Sequence, residues 1–393
     1  TGSAQMVVQA VGFISGILVI RMLPVEEYAI YTLANTMLGT MTVLSDGGIS
    51  TGVMAQGGKV WQDREKLGAV LATGLDLRRK FAIGSLIISI PILAYLLHTH
   101  GASWLTITLI TVSLIPAFFA ALSDTLLQIP AKLHQAILPL QRNQVEVGIG
   151  RLVLTGISIF AFPWAFVAVL ASGIPRMYGN IKLRKIANVF VDKEQGPNAE
   201  IKNRVLKDVK RILPTSIYYA ISGQLTVWLI SIFGKTSSIA ELGALTRYSM
   251  LFSLLITICN ILLVPQFVRM NSQKLFSRFF KIELVLFLLS IIFVIIFVLF
   301  SRQLLWILGV KYANLNYELF LVSVSGALSF ISGVTNGLLS SRSIIVPPLL
   351  FISIAVFIQV VTLFIIPVDK LSGVLIYSIC TTSIIYIIRI FYF

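Results

Sequence analysis

The chain has 393 residues, of which 57% are hydrophobic and only 12% are charged. Its mean hydropathy is +0.91. A soluble domain has no means of burying so much apolar surface, because ordinary chains are about half apolar and roughly a quarter charged. The composition therefore excludes an ordinary soluble protein and predicts an all-α polytopic membrane protein.

Twelve apolar segments approach the roughly 20 residues that a helix needs to cross a bilayer. They lie at 4–22, 28–45, 80–97, 104–122, 144–162, 164–180, 212–233, 240–264, 282–300, 316–338, 344–367 and 371–391. The longest polar stretch of the sequence separates the first six from the last six. We therefore expect an N-terminal six-helix bundle at 1–181, a basic cytoplasmic linker with a surface helix at 182–211, and a C-terminal six-helix bundle at 212–393. The two bundles are expected to surround a central cavity.

The formal net charge of +15 would suggest a nucleic-acid partner in a soluble protein. Here the positions of the charges give another explanation. If the N-terminus is cytoplasmic, 25 of the 31 basic residues fall on the cytoplasmic side of the predicted topology and five on the other. Because lysine and arginine concentrate on the cytoplasmic side of membrane proteins, we expect both termini to be cytoplasmic and expect no nucleic-acid partner. The chain begins at Thr1, and we expect native residues to precede it.

Six segments on either side of the linker suggest an internal repeat. A shift of 214 residues places Glu27 on Glu241 and Asp46 on Asn260. Both copies lie in the first hairpin of their half, and both hairpins turn on the same predicted side of the membrane. The sequence therefore predicts parallel repeats related by an axis along the membrane normal.

Basic residues inside the predicted spans are candidate substrate ligands, because a charge at a helix centre costs about 3 kcal/mol on insertion scales. Arg247 lies about two turns into the eighth span, with no acid three or four residues away. It either faces the cavity or belongs to a structural salt bridge. Arg151 lies in the fifth span and Arg21 ends the first, where each is either a substrate contact or a snorkelling or capping residue.

Three acids are candidates for ion coupling or gating: Asp46, Glu146 and Asp124. Asp46 precedes Gly47 and Gly48, so it is either a gating residue or an ordinary helix-end aspartate. Glycines at that point would permit a broken helix or close helix packing.

The sequence has no glycine-rich phosphate loop, no nucleophile elbow and no cluster of metal ligands. Every predicted external loop is short, whereas a membrane enzyme of glycan assembly would need a sizeable one. We therefore expect no enzyme activity, no catalytic residue, no metal site and no cofactor.

The opening hairpin carries a motif. A turn at Arg21-Met22-Leu23 is followed by Glu27-Tyr28-Ala29, and Asp46-Gly47-Gly48 follows the second span. This resembles the polysaccharide (O-antigen type) flippases of the multidrug/oligosaccharidyl-lipid/polysaccharide exporter superfamily. The resemblance implies a flippase that moves an undecaprenyl-diphosphate-linked oligosaccharide across the bacterial inner membrane for O-antigen, capsule or exopolysaccharide assembly. Its implied partners are that lipid-linked oligosaccharide, the lipid bilayer and a polysaccharide polymerase.

Three alternatives remain. Multidrug or toxic-compound exporters of the same superfamily usually carry an acid in the first helix, where this chain has Gln5 and Gln9. Lipid II exporters generally have more spans than the twelve predicted here. A membrane enzyme of glycan assembly is disfavoured by the loop lengths. The candidate arginines are well suited to bind the diphosphate of a flippase substrate, because a guanidinium can donate two parallel hydrogen bonds to it.

Overall fold

The computed structural model describes residues 2–269, 272–342, 344 and 347–392, with the side chains of 2–5 and 272–274 outside this description. All regular structure in these residues is helical. They form two compact units, Thr1–Leu225 and Thr226–Phe393. The first unit therefore includes residues 182–211, which the sequence assigned to a linker, and the start of the predicted C-terminal bundle.

The helices of the first unit in the described residues are α1 (Gly2–Met22), α2 (Val25–Asp46), α3 (Ile49–Lys59), α4 (Arg64–Thr99), α5 (Trp104–Leu133), α6 (Ile137–Ala161), α7 (Ala165–Asn188) and α8 (Ala199–Ser222). Those of the second unit are α9 (Leu225–Phe233), α10 (Thr236–Leu245), α11 (Ser249–Val268), α12 (Ser272–Leu299), α13 (Ser301–Leu308), α14 (Asn316–Ser341), α15 (Pro348–Ile365) and α16 (Leu371–Tyr392). Short 3-10 turns occupy Thr246–Tyr248 and Val310–Tyr312.

Eight helical stretches of the described residues are long and apolar enough to cross a membrane, or nine if the bent pair α8 and α9 is one span. The chain is therefore a polytopic membrane protein. Each of the twelve predicted segments contains a helix, although positions 345 and 346 of the eleventh lie outside the described residues. Helix α2 is not among the eight, but many of its residues are buried against neighbouring helices. The twelve-span count stays a prediction.

Helix α4 is much longer than the predicted span at 80–97. Its 36 residues extend about 54 Å at 1.5 Å per residue, well beyond the roughly 30 Å of a hydrocarbon core. Asp63 caps its N-terminus by accepting hydrogen bonds from the backbone N–H groups of Lys66 and Glu65, both at 3.1 Å. The Lys66 backbone hydrogen bond is the main cause that lowers the pKa of the Asp63 carboxyl. The first turns of α4 thus form a capped extension outside the predicted span.

The segment that joins α7 to α8 is docked along α4. The backbone N–H of Asp192 donates to the carbonyl oxygen of Arg64 at 2.9 Å, and that of Asn198 donates to Thr73 Oγ1 at 2.9 Å. A Cβ atom on Gly68 would lie 2.3 Å from the carbonyl oxygen of Asp192, so this approach requires glycine. The predicted linker is therefore fixed to the first unit by backbone contacts.

Helix α8 contains the surface helix that the sequence predicts within residues 182–211. Its apolar residues Val205 and Val209 are fully buried in a core formed with α3 and α4. A Cβ atom on Gly52 of α3 would lie 3.1 Å from Val205 Cγ1, which shows how closely the two helices pack. The apolar face of α8 thus covers α3, while its exposed face carries the Glu200–Arg204 pair.

Helix α14 is the most buried span of the second unit. Three of its glycines meet successive turns of α11. A Cβ atom on Gly326 would lie 2.4 Å from the Phe252 ring, and one on Gly337 would lie 2.3 Å from Asn260 Oδ1, with Gly333 against Ile256 between them. Small residues let membrane helices approach closely, so this stripe fixes the contact between α11 and α14.

Candidate functional site

Four helices of the first unit meet at a polar cluster around Arg78. Arg78 of α4 is almost completely buried, and its Nη1 lies 3.2 Å from Asp46 Oδ1 at the end of α2. The same nitrogen donates to Thr125 Oγ1 of α5 and, at 3.3 Å, to Ser50 Oγ of α3. Ser50 also donates through its hydroxyl to Asp46 Oδ1. One guanidinium therefore ties together four helices.

The chain reverses between α2 and α3 through two glycines. Gly47 and Gly48 have φ values of 50° and 94°, in the left-handed region that favours glycine. A Cβ atom on Gly48 would also lie 2.9 Å from Ile212 Cγ2 of α8. This turn brings Ser50 back onto Asp46, whose Oδ1 accepts the Ser50 backbone N–H at 3.3 Å. The two glycines after Asp46 thus allow the turn that places Ser50 beside Asp46.

Asp124 lies one residue before Thr125, on the neighbouring side of α5. Its Oδ1 accepts a hydrogen bond of 2.6 Å from Asn180 Nδ2 of α7, which also contacts Ser123 Oγ at 2.7 Å. The structure therefore brings Asp46 to the buried arginine, whereas Asp124 is held by Asn180.

Glu146, the third predicted acid, lies apart from that cluster. It forms ion pairs with Lys182 of α7 and, at 3.1 Å, with Arg142 of its own helix. Its side chain is one-third exposed, so these pairs contribute little to stability. Glu146 thus connects the N-terminal part of α6 to the C-terminal part of α7, where the basic stretch at 182–211 begins.

The three predicted arginines occupy separate places. Arg21 is exposed at the end of α1. Arg151 is half-buried on α6 beside α1, where a Cβ atom on Gly12 would lie 3.8 Å from its Nη2. Arg247, in the second unit, is half-buried in the 3-10 turn between α10 and α11 rather than inside one continuous helix. Their role as substrate ligands stays a prediction.

Sequence reasoning missed a buried acid in the second unit. Glu283 of α12 is 6% exposed and accepts hydrogen bonds of 2.7 Å from Thr335 Oγ1 of α14 and Tyr386 Oη of α16. None of the ion pairs among the described side chains includes Glu283. The signal in the sequence was a single acid inside an otherwise apolar run, one residue past the predicted start of the ninth span.

Glu27 of the opening motif also has a defined contact. Its Oε2 accepts the backbone N–H of Ala165 at 2.6 Å, at the first residue of α7. Trp164, the preceding residue, supplies no side-chain cap. The motif acid therefore caps another helix of the same unit. In the part of the chain that the structure describes, no group of three or more His, Cys, Asp or Glu residues is placed to hold a metal ion.

The fold is that of a class of membrane transporters. Solved structures of MATE family transporters of the MOP superfamily resemble the chain over nearly its whole length. An inward-facing multidrug resistance MATE transporter superposes with a TM-score of 0.72 at 14% identity, covering 98% of this chain and 93% of that chain. An outward-facing one gives 0.62 at 15% identity, covering 99% and 91%. A eukaryotic MATE transporter gives 0.58 at 14% identity, covering 99% and 94%.

At these identities the likeness defines the fold alone. No protein-family model matches the sequence, and no curated protein sequence matches it. The predicted superfamily is thus consistent with the fold, while the O-antigen flippase subfamily stays a prediction.

Proposed function

We propose that the chain is a membrane exporter that moves an organic substrate by alternating access. The observation that carries this proposal is the fold, which matches multidrug resistance MATE transporters over 98% of this chain and 93% of the first neighbour. Those neighbours favour the alternative that the sequence ranked second, a multidrug or toxic-compound exporter, over the oligosaccharide flippase. An exporter of this kind has no catalytic residue.

A second candidate is the flippase for an undecaprenyl-diphosphate-linked oligosaccharide. It is favoured by the opening hairpin motif and by the absence of an acid from the sequence of α1, where Gln9 stands and where the side chain of Gln5 is outside the described residues. Cationic side chains bind an anionic diphosphate favourably, and the sequence has Arg21, Arg151 and Arg247 in or beside its predicted spans. Under this candidate, these three arginines bind the diphosphate of the substrate.

The two candidates use different residues. A cationic drug needs a carboxylate that is not already neutralised, but Asp46 and Glu146 each take part in an ion pair. Glu283 is a buried acid held only by hydroxyl groups among its described hydrogen bonds. Under drug export, Glu283 is therefore the acid that we assign to ion or drug coupling. Asp46, which is paired with Arg78, and Asp124, which is bonded to Asn180, are proposed as gating residues.

The proposed setting is a bacterial inner membrane with both termini cytoplasmic. The support is the 25-to-5 distribution of basic residues in the sequence. A polysaccharide polymerase is a proposed partner of the flippase candidate only, because it would consume the translocated oligosaccharide.

The test uses two strains and three forms of the protein. Wild type, Glu283→Gln and Arg247→Ala are each expressed in an efflux-deficient strain, to measure retention of a cationic dye, and in a flippase-deficient strain, to measure surface glycan. Drug export predicts that wild type lowers dye retention and that only Glu283→Gln loses this effect. The flippase candidate predicts restored glycan that only Arg247→Ala loses. Wild type inactive in both assays, at normal membrane abundance, would contradict the exporter proposal.

A further inference from the structure

The first unit contains a pocket between α4, α5 and α7, with a volume of about 510 Å³. This volume is within the roughly 300–1,000 Å³ typical of small-molecule sites. Its lining carries three arginines and no acid: Arg78, Arg79 and Arg184. The remaining wall is mainly apolar, with the polar groups Ser123 and Asn180 at α5 and α7. A cationic, partly apolar pocket is complementary to a ligand with an anionic group and a hydrocarbon portion.

The inner wall of the pocket holds an unused donor. Arg78 is 1% exposed, and its Nε, which is also buried, has no hydrogen-bond partner among the described residues. Its Nη1 is already engaged with Asp46 and Thr125. A buried donor left without a partner costs about 1–3 kcal/mol, and an anionic oxygen in the pocket would satisfy it.

The rim of the pocket carries exposed apolar side chains. Phe119 of α5 is 59% exposed, and Met177 and Ile181 of α7 are 43% and 56% exposed. These apolar side chains lie beside the arginines in the same lining. The hydrocarbon portion of a ligand therefore has a path from the pocket along exposed apolar side chains.

The depth of the pocket is that of a phospholipid phosphate. Arg79 lies 20 residues before the end of α4 at Thr99, which is about 30 Å along the helix. Ser123 lies 19 residues after the start of α5, about 29 Å, and Arg184 lies 19 residues after the start of α7. A hydrocarbon core is roughly 30 Å thick, so all three helices bring their polar lining to the head-group level.

We propose that this pocket binds the phosphate of an anionic phospholipid, with the glycerol backbone among the arginines and the acyl chains along Phe119, Met177 and Ile181. Arg79 and Arg184 provide exposed cations, and Arg78 provides the buried Nε–H. Asn180 fixes the α7 side of the pocket, because its amide bridges Asp124 and the Nε–H of Arg184 at 3.3 Å. Basic pockets between helices are suited to anionic head groups on the cytoplasmic side, which is where the proposed topology places this one.

The experiment is native mass spectrometry of the purified full-length protein in detergent, titrated with phosphatidylglycerol, phosphatidylcholine or inorganic phosphate. Wild type is expected to retain one phosphatidylglycerol in preference to phosphatidylcholine. The double variant Arg79→Gln/Arg184→Gln is expected to weaken that binding by about tenfold for each arginine removed. The matched control is Lys66→Gln/Lys185→Gln, which removes two exposed cations from the same helices outside the pocket lining.

Three further results decide the proposal. Arg78→Lys retains the charge but lacks the Nε–H at that position, so it is expected to weaken phosphatidylglycerol binding while the thermal unfolding midpoint shows that the protein is folded. Equal binding by the pocket variant and the control variant would overturn the proposal. Displacement of the lipid by millimolar inorganic phosphate would also overturn it, because the site would then be one for the free anion.

Discussion

Arg78 and Asp46 form an ion pair whose two members differ in exposure: the Arg78 side chain is 2% exposed and the Asp46 side chain 25%. Arg78 has therefore lost nearly all its hydration, while Asp46 retains part of its own. Removing the acid leaves a buried cation with neutral hydroxyl groups as its remaining hydrogen-bond partners at Nη1. Such an uncompensated charge is more costly than the loss of an exposed ion pair.

The first prediction follows from this asymmetry. Asp46→Asn is expected to lower the free energy of unfolding by about 3 kcal/mol, at the lower end of values for broken buried pairs, because Asp46 is partly hydrated. The measurement is denaturant or thermal unfolding in detergent. Asp76→Asn, which breaks the exposed pair with Lys80, is the control and should cost roughly 0.5 kcal/mol. If both variants lower the free energy of unfolding by a similar amount, the buried pair contributes no more to stability than the exposed one.

The second prediction concerns the acid of the opening motif. Glu27 accepts the backbone N–H of Ala165 at 2.6 Å and places a negative charge at the N-terminus of α7. Glu27→Ala should therefore destabilise the protein by about 1–2 kcal/mol, and Glu27→Gln by less, since the amide oxygen still accepts the hydrogen bond. Glu26→Ala, at the exposed neighbouring position, is the control. If Glu27→Ala is as stable as Glu26→Ala, the contact does not contribute to stability.

The third prediction separates two roles of Glu283: the contribution of its hydrogen bonds to stability and the contribution of its protonation to transport. Glu283→Gln retains one oxygen that can accept from Thr335 or Tyr386, so its stability should change by less than about 1.5 kcal/mol. Glu283→Leu removes this acceptor from the half-buried Tyr386 hydroxyl and from the buried Thr335 hydroxyl, which retains the Ile331 carbonyl oxygen at 2.8 Å, and should cost about 2 kcal/mol. Thermal unfolding of both variants checks the difference. Drug export driven by protonation at Glu283 predicts, in addition, that the stable Glu283→Gln variant loses transport.

The sequence predicts the helices well because each apolar run must be long enough to cross a bilayer. It predicts their lengths less well, because an apolar run marks only the part of a helix inside the membrane. Helix α4 also includes the capped extension that begins at Arg64. The amphipathic pattern of α8 also predicts a surface helix. The same pattern serves equally to cover α3, and only the tertiary structure distinguishes these two uses.

The candidate site was harder to predict than the fold. The sequence offers Asp46 and Asp124 as candidates, whereas nothing in it distinguishes Arg78 from the other basic residues outside the predicted spans. The structure buries Arg78 and pairs it with Asp46. The 31 positions between Asp46 and Arg78 give no periodic signal of their contact. The Gly47-Gly48 turn and the packing of α4 against α2 bring the pair together.

The fourth prediction tests the orientation in the membrane. The distribution of basic residues places the loop before α8 in the cytoplasm and the start of α10 outside. Gly196 and Ser237 are both exposed, so cysteines at these positions should react with a membrane-impermeant reagent from opposite sides. The native Cys259 and Cys380 are first replaced by serine. Labelling of both introduced cysteines from outside intact cells would contradict the proposed topology.

The last prediction concerns Arg247. It is half-buried in the 3-10 turn of an otherwise apolar stretch, Thr236–Val268, where a charge is costly unless it has a function or a structural partner. If its guanidinium binds the diphosphate of a lipid-linked oligosaccharide, Arg247→Ala should abolish surface glycan at normal membrane abundance. Arg247→Lys should retain partial export, roughly a tenth of wild type, because the charge remains but the two parallel hydrogen bonds do not.

The control for Arg247 is Arg302→Ala, which removes an exposed arginine from the same unit. A purely structural role for Arg247 predicts a different pattern, in which membrane abundance falls in step with glycan export and Arg247→Lys restores both. The readout is complementation of a flippase-deficient strain, with membrane protein quantified in the same cells. Full export by Arg247→Ala at normal abundance would remove Arg247 from the substrate site, and loss of export without loss of abundance would favour the oligosaccharide over a cationic drug as substrate.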